Sequence, residues 1–328
     1  MNFLAAYLDN TVDFSATLTQ LEPRLLKEGE VRIAVDYSSL NYKDALAITN
    51  RAPVVRTWPM VAGIDGVGTV IESLHPAWQK GDQVISQGFG TGETIWGCLA
   101  QQICLSGDKI ISLPAHITPY EAMALGTAGF TAMLCILALE QHGIMPDSGY
   151  ILVTGASGGV GSLAVTLLAK LGYHVIASTA KMEAVDFLSR LGAKEIINRT
   201  LLATPNPKPL QNTRWIGVID TVGSYTLANA LAKTAYGGVA LACGLAQGID
   251  LPTSVAPFIF RHIRLIGIDS VQAPIPLREQ AWARLAKDFP LRQLLTIARD
   301  IPLKEVFTVS NQLIAGKIRG RIVVNIND

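Results

Sequence analysis

The sequence predicts an α/β protein in which a doubly wound parallel sheet forms one domain and a mainly β region forms a second. The first observation is length: the chain has 328 residues, whereas a domain usually has ~100–200. Short β-like segments separated by turns fill residues 1–120, and after them β-like segments alternate with helices. Strands that alternate with helices indicate right-handed βαβ units and a parallel sheet.

The composition excludes several classes of protein. Hydrophobic residues make up 49% and charged residues only 16% of the chain, which is enough apolar material for a large core and excludes a disordered chain. The 27 basic and 26 acidic side chains leave a net charge of +1, so no overall field attracts nucleic acid or an anionic membrane. Any anion that the protein binds must meet a local site.

The cysteines and the N-terminal residues predict a cytoplasmic protein. The four cysteines show neither C-x-x-C nor C-x-x-H spacing, which argues against a zinc knuckle and a disulfide framework and favours a reducing compartment. The start MNFLAAYLDN lacks the basic segment of a signal peptide. Two uncharged runs, 122–139 and 148–169, approach the ~20 residues needed to span a bilayer, but glycines interrupt both, and we interpret them as buried elements.

The first region contains alternating segments typical of half-buried strands. They are VRIAVDY at 31–37 and further stretches at 66–71 and 83–86, the last preceded by a turn at 80–82. The end of the chain supplies an amphipathic helix at 278–288 and the strand-like RIVVNI at 321–326. We expect this tail to return to the first region, so residues 1–122 and 271–328 form one domain.

Residues 123–270 form the predicted doubly wound domain. One or two helices are expected over 121–140, and further helices over 160–171, 181–193 and 226–236. In the 181–193 segment an apolar stripe predicts one buried face, and a glycine at 192 predicts its end. The predicted strands are YILVT at 150–154, HVIAS at 174–178, EII at 195–197, WIGVID at 215–220, GVALACG at 238–244 and IRLIGIDS at 263–270.

The strongest chemical signal is the glycine-rich turn VTGASGGVG at 153–161, between an apolar strand and a helix. Glycines there allow a positive φ, close approach of a pyrophosphate to backbone N–H groups, and close packing of helix on sheet. The helix N-terminus stabilises the phosphate charge. The alternative is a tight turn that binds nothing, but the βαβ context favours a dinucleotide site. Its predicted residues are Gly155, Ser157, Gly158, Gly159, Val160 and Gly161.

The end of the next strand indicates which dinucleotide is bound. Sites for NAD usually carry an acidic residue ~20 positions after the turn, to hold the ribose hydroxyls. Here that position reads Ser178, Thr179, Ala180, Lys181, and hydroxyls with an ammonium group suit a 2′-phosphate that a carboxylate would repel. The sequence therefore predicts NADPH, with Arg199 as a second cation; solvated surface side chains are the alternative for both cations.

These segments resemble the medium-chain dehydrogenase/reductase superfamily, in its zinc-free quinone oxidoreductase branch, over nearly the whole chain. The resemblance rests on SSLNYKDALAITN, PMVAGIDGVGTV, GDQV, GTAGFTAMLC, VTGASGGVGS, IDTVG, ACGLAQG and GKIRGRIVV. NYKDALAITN together with GTAGFTAMLCILALE resembles the acryloyl-CoA reductase subgroup. The resemblance implies a GroES-like, mainly β catalytic domain beside a Rossmann domain that binds NADPH.

The resemblance also implies that the catalytic zinc of other family members is absent. Those relatives carry a ligand cysteine where this chain has Asn41, and G-H-E where it has Gly63, Ile64 and Asp65. An asparagine amide and an isoleucine cannot replace a thiolate and an imidazole. The five histidines are scattered singly, and none is expected to bind metal.

Without a metal, hydrogen-bond donors must stabilise the enolate that forms during reduction of an enoyl thioester. The resemblance places Asn41, Tyr42 and Asp44 at the cleft that faces the nicotinamide. Asn41 is expected to donate through its amide, Tyr42 to donate or to relay a proton, and Asp44 to orient. The alternative is structural: Asn41 caps a helix that begins at Tyr42, and Asp44 favours its N-terminus.

Further positions follow from the family pattern. The nicotinamide-side wall is predicted to include Thr127, Gly244, Leu245, Asp269 and Ser270. Lys317 and Arg321 are predicted to reach a phosphate of NADPH or of coenzyme A. Ordinary positions at sheet edges, helix starts and a solvated hairpin are the alternatives.

The leading prediction is NADPH-dependent reduction of a short 2-enoyl-CoA such as acryloyl-CoA to propanoyl-CoA. A quinone oxidoreductase is the second possibility, and an NADPH-binding protein without significant turnover is a third, because one fold hosts many functions. Relatives usually form dimers, often through the last strand of the nucleotide domain, here IRLIGIDS, whose apolar edge would otherwise be unpaired. A homodimer is therefore expected, with no nucleic-acid or membrane partner.

Overall fold

The computed structural model describes residues 2–328, which divide into two compact units. The first comprises the described residues up to Ala128, with Ser270–Ala286 and Leu294–Asp328; the second comprises Gly129–Asp269 and Lys287–Gln293. The predicted boundary after residue 122 and the observed one after Ala128 lie within the same helix. Residues 287–293 were expected in the mainly β domain, whereas they pack with the second unit.

The elements are numbered in chain order over the described residues. The strands are β1 Phe3–Asp9, β2 Ser15–Leu21, β3 Glu30–Ser39, β4 Met60–Val61, β5 Asp65–Ser73, β6 Gln83–Gln87, β7 Gln102–Ser106, β8 Ile110–Ser112, β9 Tyr150–Val153, β10 His174–Thr179, β11 Glu195–Asn198, β12 Trp215–Asp220, β13 Thr234–Ala242, β14 Arg264–Gly267, β15 Ala298–Pro302 and β16 Arg321–Asn325. The helices are α1 Tyr42–Ile48, α2 Pro119–Gln141, α3 Gly159–Lys170, α4 Val185–Arg190, α5 Ser224–Ala232, α6 Ala256–Arg261, α7 Ile275–Asp288, α8 Leu294–Ile297 and α9 Val306–Ile314.

The first unit is built from two sheets. The larger has the order β15-β16-β3-β5-β6-β8, with β7 also paired to β3, and the smaller has the order β2-β1-β4. In β3 the alternate residues Val31, Ile33 and Val35 are buried, as the period of a strand requires. The strand β16 pairs antiparallel with β3 and buries Ile322 and Val324 in the same core. The C-terminal strand therefore lies beside the residues that follow β3.

The second unit is a six-stranded parallel sheet with the order β11-β10-β9-β12-β13-β14. This is the doubly wound order, in which the chain reverses direction across the sheet between β9 and β12. The strands are continuous apolar runs because helices cover both faces of such a sheet. The predicted fold class, a Rossmann-type domain with a mainly β domain, is confirmed.

The helix α2 is an interior element interrupted by one glycine. It is long and apolar enough to cross a membrane, but 83% of its most apolar window is buried within the protein. At Gly126 the backbone leaves the helical region, with φ 52° and ψ −155°. Two helical segments therefore meet at Gly126, which accounts for the expectation of one or two helices here.

Candidate active site

The glycine-rich turn joins β9 to α3 at the central crossover of the parallel sheet. Gly155 has φ +57°, and a Cβ atom there would lie 2.3 Å from the Thr221 hydroxyl. A Cβ atom on Gly161 would lie 2.3 Å from the carbonyl oxygen of Gly155. The first glycine is thus required by conformation and space, and the third by the close approach of α3 to the turn.

The start of α3 offers backbone N–H groups for an anion. Gly158 is the N-cap residue, and a Cβ atom there would meet only the Gly155 carbonyl oxygen, at 3.2 Å. The N–H groups of the first turn, from Gly159 to Gly161, have no partner within the helix itself. Ser157 shares a hydrogen bond of 2.9 Å with the Thr179 hydroxyl, which ties the turn to the end of β10. This arrangement fits a pyrophosphate at the helix N-terminus.

The predicted phosphate-reading residues follow the ends of β10 and β11. Ser178 is 0% exposed, and its hydroxyl oxygen has no hydrogen-bond partner among residues 2–328. Lys181 is partly exposed, and its N–H donates to the Thr179 hydroxyl at 3.0 Å. Arg199 is exposed, directly after β11, which pairs in parallel with β10. An orphaned hydroxyl with two cations at the same edge of the sheet suits a bound phosphoribose.

Asp220, the last residue of β12, lies beside the start of the glycine-rich turn and was not among the predicted site residues. Its carboxylate accepts hydrogen bonds from the Thr154 hydroxyl at 2.6 Å and from the N–H groups of Val222 and Gly223 at 3.3 and 2.7 Å. Burial raises the pKa of Asp220. The side chain links the end of β9 to the loop after β12, which fixes both sides of the crossover. The available signal was an acid that ends an apolar strand, three residues before Gly223.

Four of the five predicted wall residues follow β13 and β14, whereas Thr127 lies in α2. Gly244 follows β13, and a Cβ atom there would lie 2.4 Å from the Thr221 carbonyl oxygen. Leu245 is exposed, as is Asp269, which ends the first segment of the second unit. Ser270 belongs to the first unit, where its carbonyl oxygen accepts from the Arg278 guanidinium at 3.0 Å. Gly244, Leu245 and Asp269 therefore lie at the carboxyl edge of the parallel sheet, the same edge as the glycine-rich turn.

The first unit contains a buried polar cluster around Asn41. The Asn41 amide nitrogen donates to Asp65 at 3.1 Å and contacts Ser39 Oγ at 3.2 Å, while its Oδ1 accepts from Arg321 Nη1 at 3.0 Å. The Ser39 hydroxyl donates to Asp65 at 2.7 Å and accepts from Arg321 Nη2 at 2.7 Å. All four side chains are buried. We call Ser39, Asn41, Asp65 and Arg321 the buried ring.

The ring corrects the role predicted for Asn41. Both amide hydrogens point to acceptors of the protein, and the amide oxygen is occupied by a guanidinium. The side chain therefore has no hydrogen to donate to a developing enolate. The helix α1 begins at Tyr42 with Asn41 as its N-cap residue, so the capping alternative describes its local position.

The phosphate role predicted for Arg321 is wrong. Its guanidinium is almost fully buried, and each of its three nitrogen atoms donates within the protein. A side chain in this position cannot reach a phosphate of NADPH or coenzyme A. The signal in GKIRGR was the charge alone, and charge does not distinguish a buried arginine from an exposed one. Lys317, by contrast, is exposed.

The Asp44 carboxyl group is held by two backbone N–H groups, and the orienting role expected of it in catalysis stays a prediction. Its Oδ2 accepts from the Asn41 N–H at 2.8 Å and its Oδ1 from the Ile64 N–H at 2.9 Å. The residue is 1% exposed. Burial, and then the nearby Asp65 carboxylate, raise the pKa of Asp44 to about 7. Asp44 therefore joins the start of α1 to the chain just before β5.

The contribution of Asp44 to the stability of the protein should fall as the pH rises from ~4 to ~7, because the folded state holds the Asp44 proton more tightly than the unfolded chain, whose aspartates have a pKa of ~3.9. The free energy of unfolding falls by at most ~1.4 kcal/mol per pH unit in this window. Above the window Asp44 causes no further change. Asp44→Asn should remove this component. Urea unfolding of both proteins at several pH values checks it, and identical slopes in the two proteins would contradict it.

Tyr42 and Thr127 differ from the ring residues in their surroundings. The Tyr42 side chain is 46% exposed, next to the buried Asn41. The Thr127 N–H donates to the Asp65 carboxylate at 2.8 Å, so the same acid that holds Asn41 also holds the second segment of α2. Of the three predicted catalytic residues, only Tyr42 presents its side chain to solvent.

Comparison with known proteins identifies both units. Residues 27–136 match the family model described as the alcohol dehydrogenase GroES-like domain, and residues 159–287 match the one described as zinc-binding dehydrogenase. That description names zinc, whereas the family resemblance puts Asn41 and Ile64 at the ligand positions, so the absence of a catalytic zinc stays a prediction. Within residues 2–328, no group of three or more His, Cys, Asp or Glu side chains is placed to hold a metal ion.

Three similar proteins cover nearly the whole chain. The probable acrylyl-CoA reductase AcuI of Escherichia coli is 46% identical, over 95% of this chain and 96% of its own. The structure of E. coli YhdH with bound NADPH is 45% identical with a TM-score of 0.95, covering 98% and 100%. The putative quinone oxidoreductase YhfP of Bacillus subtilis is 41% identical over 97% and 96%. Its structure with NAD bound is 40% identical by structural alignment, with a TM-score of 0.93 and 99% of both chains covered. The chain therefore belongs to the medium-chain dehydrogenase/reductase superfamily, as its sequence indicated.

Proposed function

We propose that the protein is an NADPH-dependent oxidoreductase that reduces the carbon–carbon double bond of a short 2-enoyl-CoA such as acryloyl-CoA. The observation that carries this proposal is the near full-length similarity to an acrylyl-CoA reductase, at 46% identity. The geometry of the nucleotide half supports it, because the turn at 155–161 and the cations at the ends of β10 and β11 suit NADPH.

The residues of the second unit would hold the cofactor by its phosphates. The glycine-rich turn and the first N–H groups of α3 take the pyrophosphate, and Ser178, Lys181 and Arg199 take the 2′-phosphate. The bound NADPH supplies the hydride. Asp220 acts through the backbone, since it holds the N–H groups of Val222 and Gly223.

In the first unit the chain must supply a proton and stabilise negative charge. Addition of hydride to the β-carbon leaves an enolate on the thioester, which a proton at the α-carbon completes to the saturated acyl-CoA. Asn41 has no free donor, so we assign the proton transfer to the Tyr42 hydroxyl. The enolate oxygen then needs hydrogen-bond donors, which we assign to backbone N–H groups of the protein.

The test is NADPH oxidation with acryloyl-CoA beside the same measurement with a benzoquinone. We expect turnover with acryloyl-CoA and formation of propanoyl-CoA. In Tyr42→Phe, enoyl-CoA reduction should slow more than quinone reduction, because only the former needs a proton placed on carbon. Equal slowing of the two would contradict the role of Tyr42, and no turnover of acryloyl-CoA would contradict the proposed activity.

A quinone oxidoreductase is the second candidate function. The observation that favours it is the similarity to YhfP, which is nearly as high as that to AcuI. The two activities share the fold and the cofactor site, so neither feature separates them. A benzoquinone reduced much faster than acryloyl-CoA would establish this candidate in place of the first.

Lys181→Asp should weaken NADPH binding by about 10–150-fold, since a hydrogen bond to a charged group contributes ~1.5–3 kcal/mol. NADH binding should change far less, because NADH lacks the 2′-phosphate. Titration of both cofactors by fluorescence measures the two changes. Lys194→Asp, at another exposed lysine of the same unit, is the matched control for charge reversal. An unchanged ratio of affinities would show that Arg199 reads the phosphate without Lys181.

We also propose a homodimer that pairs through β14. This strand lies at the edge of the parallel sheet, and the exposed side chains of Ile259 and Phe260 lie on α6 just before it. An apolar edge strand is a template for pairing with another chain. Light scattering at micromolar concentration should give twice the 35.1 kDa mass of the chain, and a monomer mass would contradict the proposal.

A further inference from the structure

The buried ring joins a guanidinium and a carboxylate through two bridging groups. Ser39 Oγ and the Asn41 amide lie between Arg321 and Asp65. Each of them donates to the carboxylate and accepts from the guanidinium. On both sides of the ring the guanidinium donates to a bridging group, and the bridging group donates to the carboxylate. Hydrogen bonds linked in this way polarise one another.

The ring compensates charges that are otherwise costly to bury. Asp65 accepts from the N–H and hydroxyl of Ser39, from the Asn41 amide and from the N–H of Thr127, so its charge is fully hydrogen-bonded. Burial lowers the pKa of Arg321, and the Asp65 charge opposes that change. A buried ion pair tolerates burial only when the remaining lone pairs and protons are satisfied. A group at position 41 must therefore both donate and accept, as an amide does.

The ring also replaces hydrogen bonds that the break in α2 removes. In an unbroken helix the Thr127 N–H would donate to the Met123 carbonyl. It donates instead to Asp65, while Arg321 donates to the carbonyls of Met123 at 3.4 Å and Ala124 at 3.1 Å. Asp65 thus caps the start of the second helical segment and Arg321 the end of the first. The two charges suit the two helix ends.

A second connection leads from the ring to α1. Asn41 is both a member of the ring and the N-cap residue of α1, and its N–H donates to Asp44. Tyr42 follows directly as the first residue of the helix. The ring therefore determines the position of the backbone at Tyr42 on one side and at Thr127 on the other.

We propose that Arg321 and Asp65 are positioning residues for the reduction, and that the ring sets Tyr42 and Thr127 relative to each other without touching the substrate. This inference rests on the proposed function only where it predicts a change in the rate of the reduction. The ring holds the segment at position 41 with fixed side chains, through the hydrogen bonds of Asn41 with Asp65 and Arg321. A misplacement of ~1 Å at reacting groups can cost ~100-fold in rate.

The test compares Arg321→Lys with Arg32→Lys. Lysine keeps the charge but cannot bridge Ser39 and Asn41 with a planar fork. Arg32 is also a largely buried arginine of the first unit, paired with Glu72 and bonded to the Arg24 carbonyl, outside the ring. We expect kcat of Arg321→Lys to fall ~100-fold with little change in NADPH affinity. Arg32→Lys should retain kcat per folded molecule even if its melting temperature falls.

Hydrogen exchange gives a readout that is independent of turnover. Exchange of the peptide that contains the Thr127 amide should quicken in Arg321→Lys and stay unchanged in Arg32→Lys. Ser39→Ala, which removes one bridge and keeps both charges, is the second variant if Arg321→Lys does not fold. The positioning role is supported if Arg321→Lys shows both faster exchange of the Thr127 peptide and slower turnover. Turnover is measured with the acceptor that the wild type reduces, whether or not this is acryloyl-CoA. Unchanged exchange, or a kcat equal to that of Arg32→Lys, overturns it.

Discussion

Asn41→Ala is expected to lower the free energy of unfolding by about 3–6 kcal/mol, because it removes two hydrogen bonds to charged groups at ~1.5–3 kcal/mol each. One is the bond that the Asn41 amide donates to Asp65, and the other is the bond that it accepts from Arg321. Alanine replaces neither, so the buried Asp65 carboxylate and Arg321 guanidinium each lose a partner. Chemical unfolding of the wild type and the variant measures the difference.

Turnover of the folded fraction should fall as well, although the Asn41 amide donates nothing to the substrate. The reason is positional, since the N-cap residue of α1 determines where Tyr42 begins the helix. Single-turnover NADPH oxidation well below the melting transition separates this loss from unfolding. Asn229→Ala is the matched control: Asn229 is also buried, but its amide bonds only to neutral groups of the second unit. If Asn41→Ala is as stable as the wild type, the hydrogen bonds of Asn41 in the ring do not contribute the expected free energy of unfolding.

The parallel sheet could be predicted from the sequence because its signals are local. A strand covered on both faces is a short apolar run, and YILV and WIGVID each end at a turn or an acid where the crevice begins. The stripe in the 181–193 segment was equally local. Ala184, Phe187, Leu188 and Leu191 are all buried, although Ala184 lies in a single 3-10 turn before α4 begins at Val185.

Other parts of the fold depend on pairings that the sequence does not display. The strand β1 reads FLAAYLD, with few β-branched residues, and becomes a strand because β2 and β4 pair with it. The strand β15 contains an exposed arginine and aspartate, and among the described strands it pairs with β16 alone. Tertiary context overrides propensity in both cases.

The candidate site also contains a local part, which the sequence predicts, and a non-local part, which it does not. The glycine-rich turn is contiguous, so its role follows from nine consecutive residues of the sequence. The ring joins Ser39 and Asn41 to Asp65 and to Arg321, which is 280 residues from Asn41. No spacing rule connects an arginine near the C-terminus with an asparagine after the third strand. Both polar side chains could be recognised in the sequence, but Asn41 was assigned to the substrate and Arg321 to a phosphate. In the structure these two side chains bond to each other.

Gly126→Ala should destabilise the protein by about 2–6 kcal/mol, the sum of backbone strain of ~1–3 kcal/mol and steric overlap of ~1–3 kcal/mol. The strain arises because φ is +52° and ψ is −155°, a conformation almost restricted to glycine. The overlap arises because a Cβ atom would lie 2.6 Å from Arg321 Nη2, 2.8 Å from Ser39 Oγ and 3.0 Å from Asp65 Oδ2.

Gly143→Ala separates these two causes, since Gly143 follows the end of the same helix with φ +75° and open space around its Cβ position. That variant should show strain alone, whereas Gly126→Ala should show strain together with a disturbed ring. Urea unfolding gives both stabilities, and single-turnover NADPH oxidation shows whether turnover falls only in Gly126→Ala. Equal losses of stability and turnover in the two variants would mean that the ring tolerates a methyl group at its centre. The close packing of Ser39, Asp65 and Arg321 around Gly126 would then not be what requires a glycine at the break in α2.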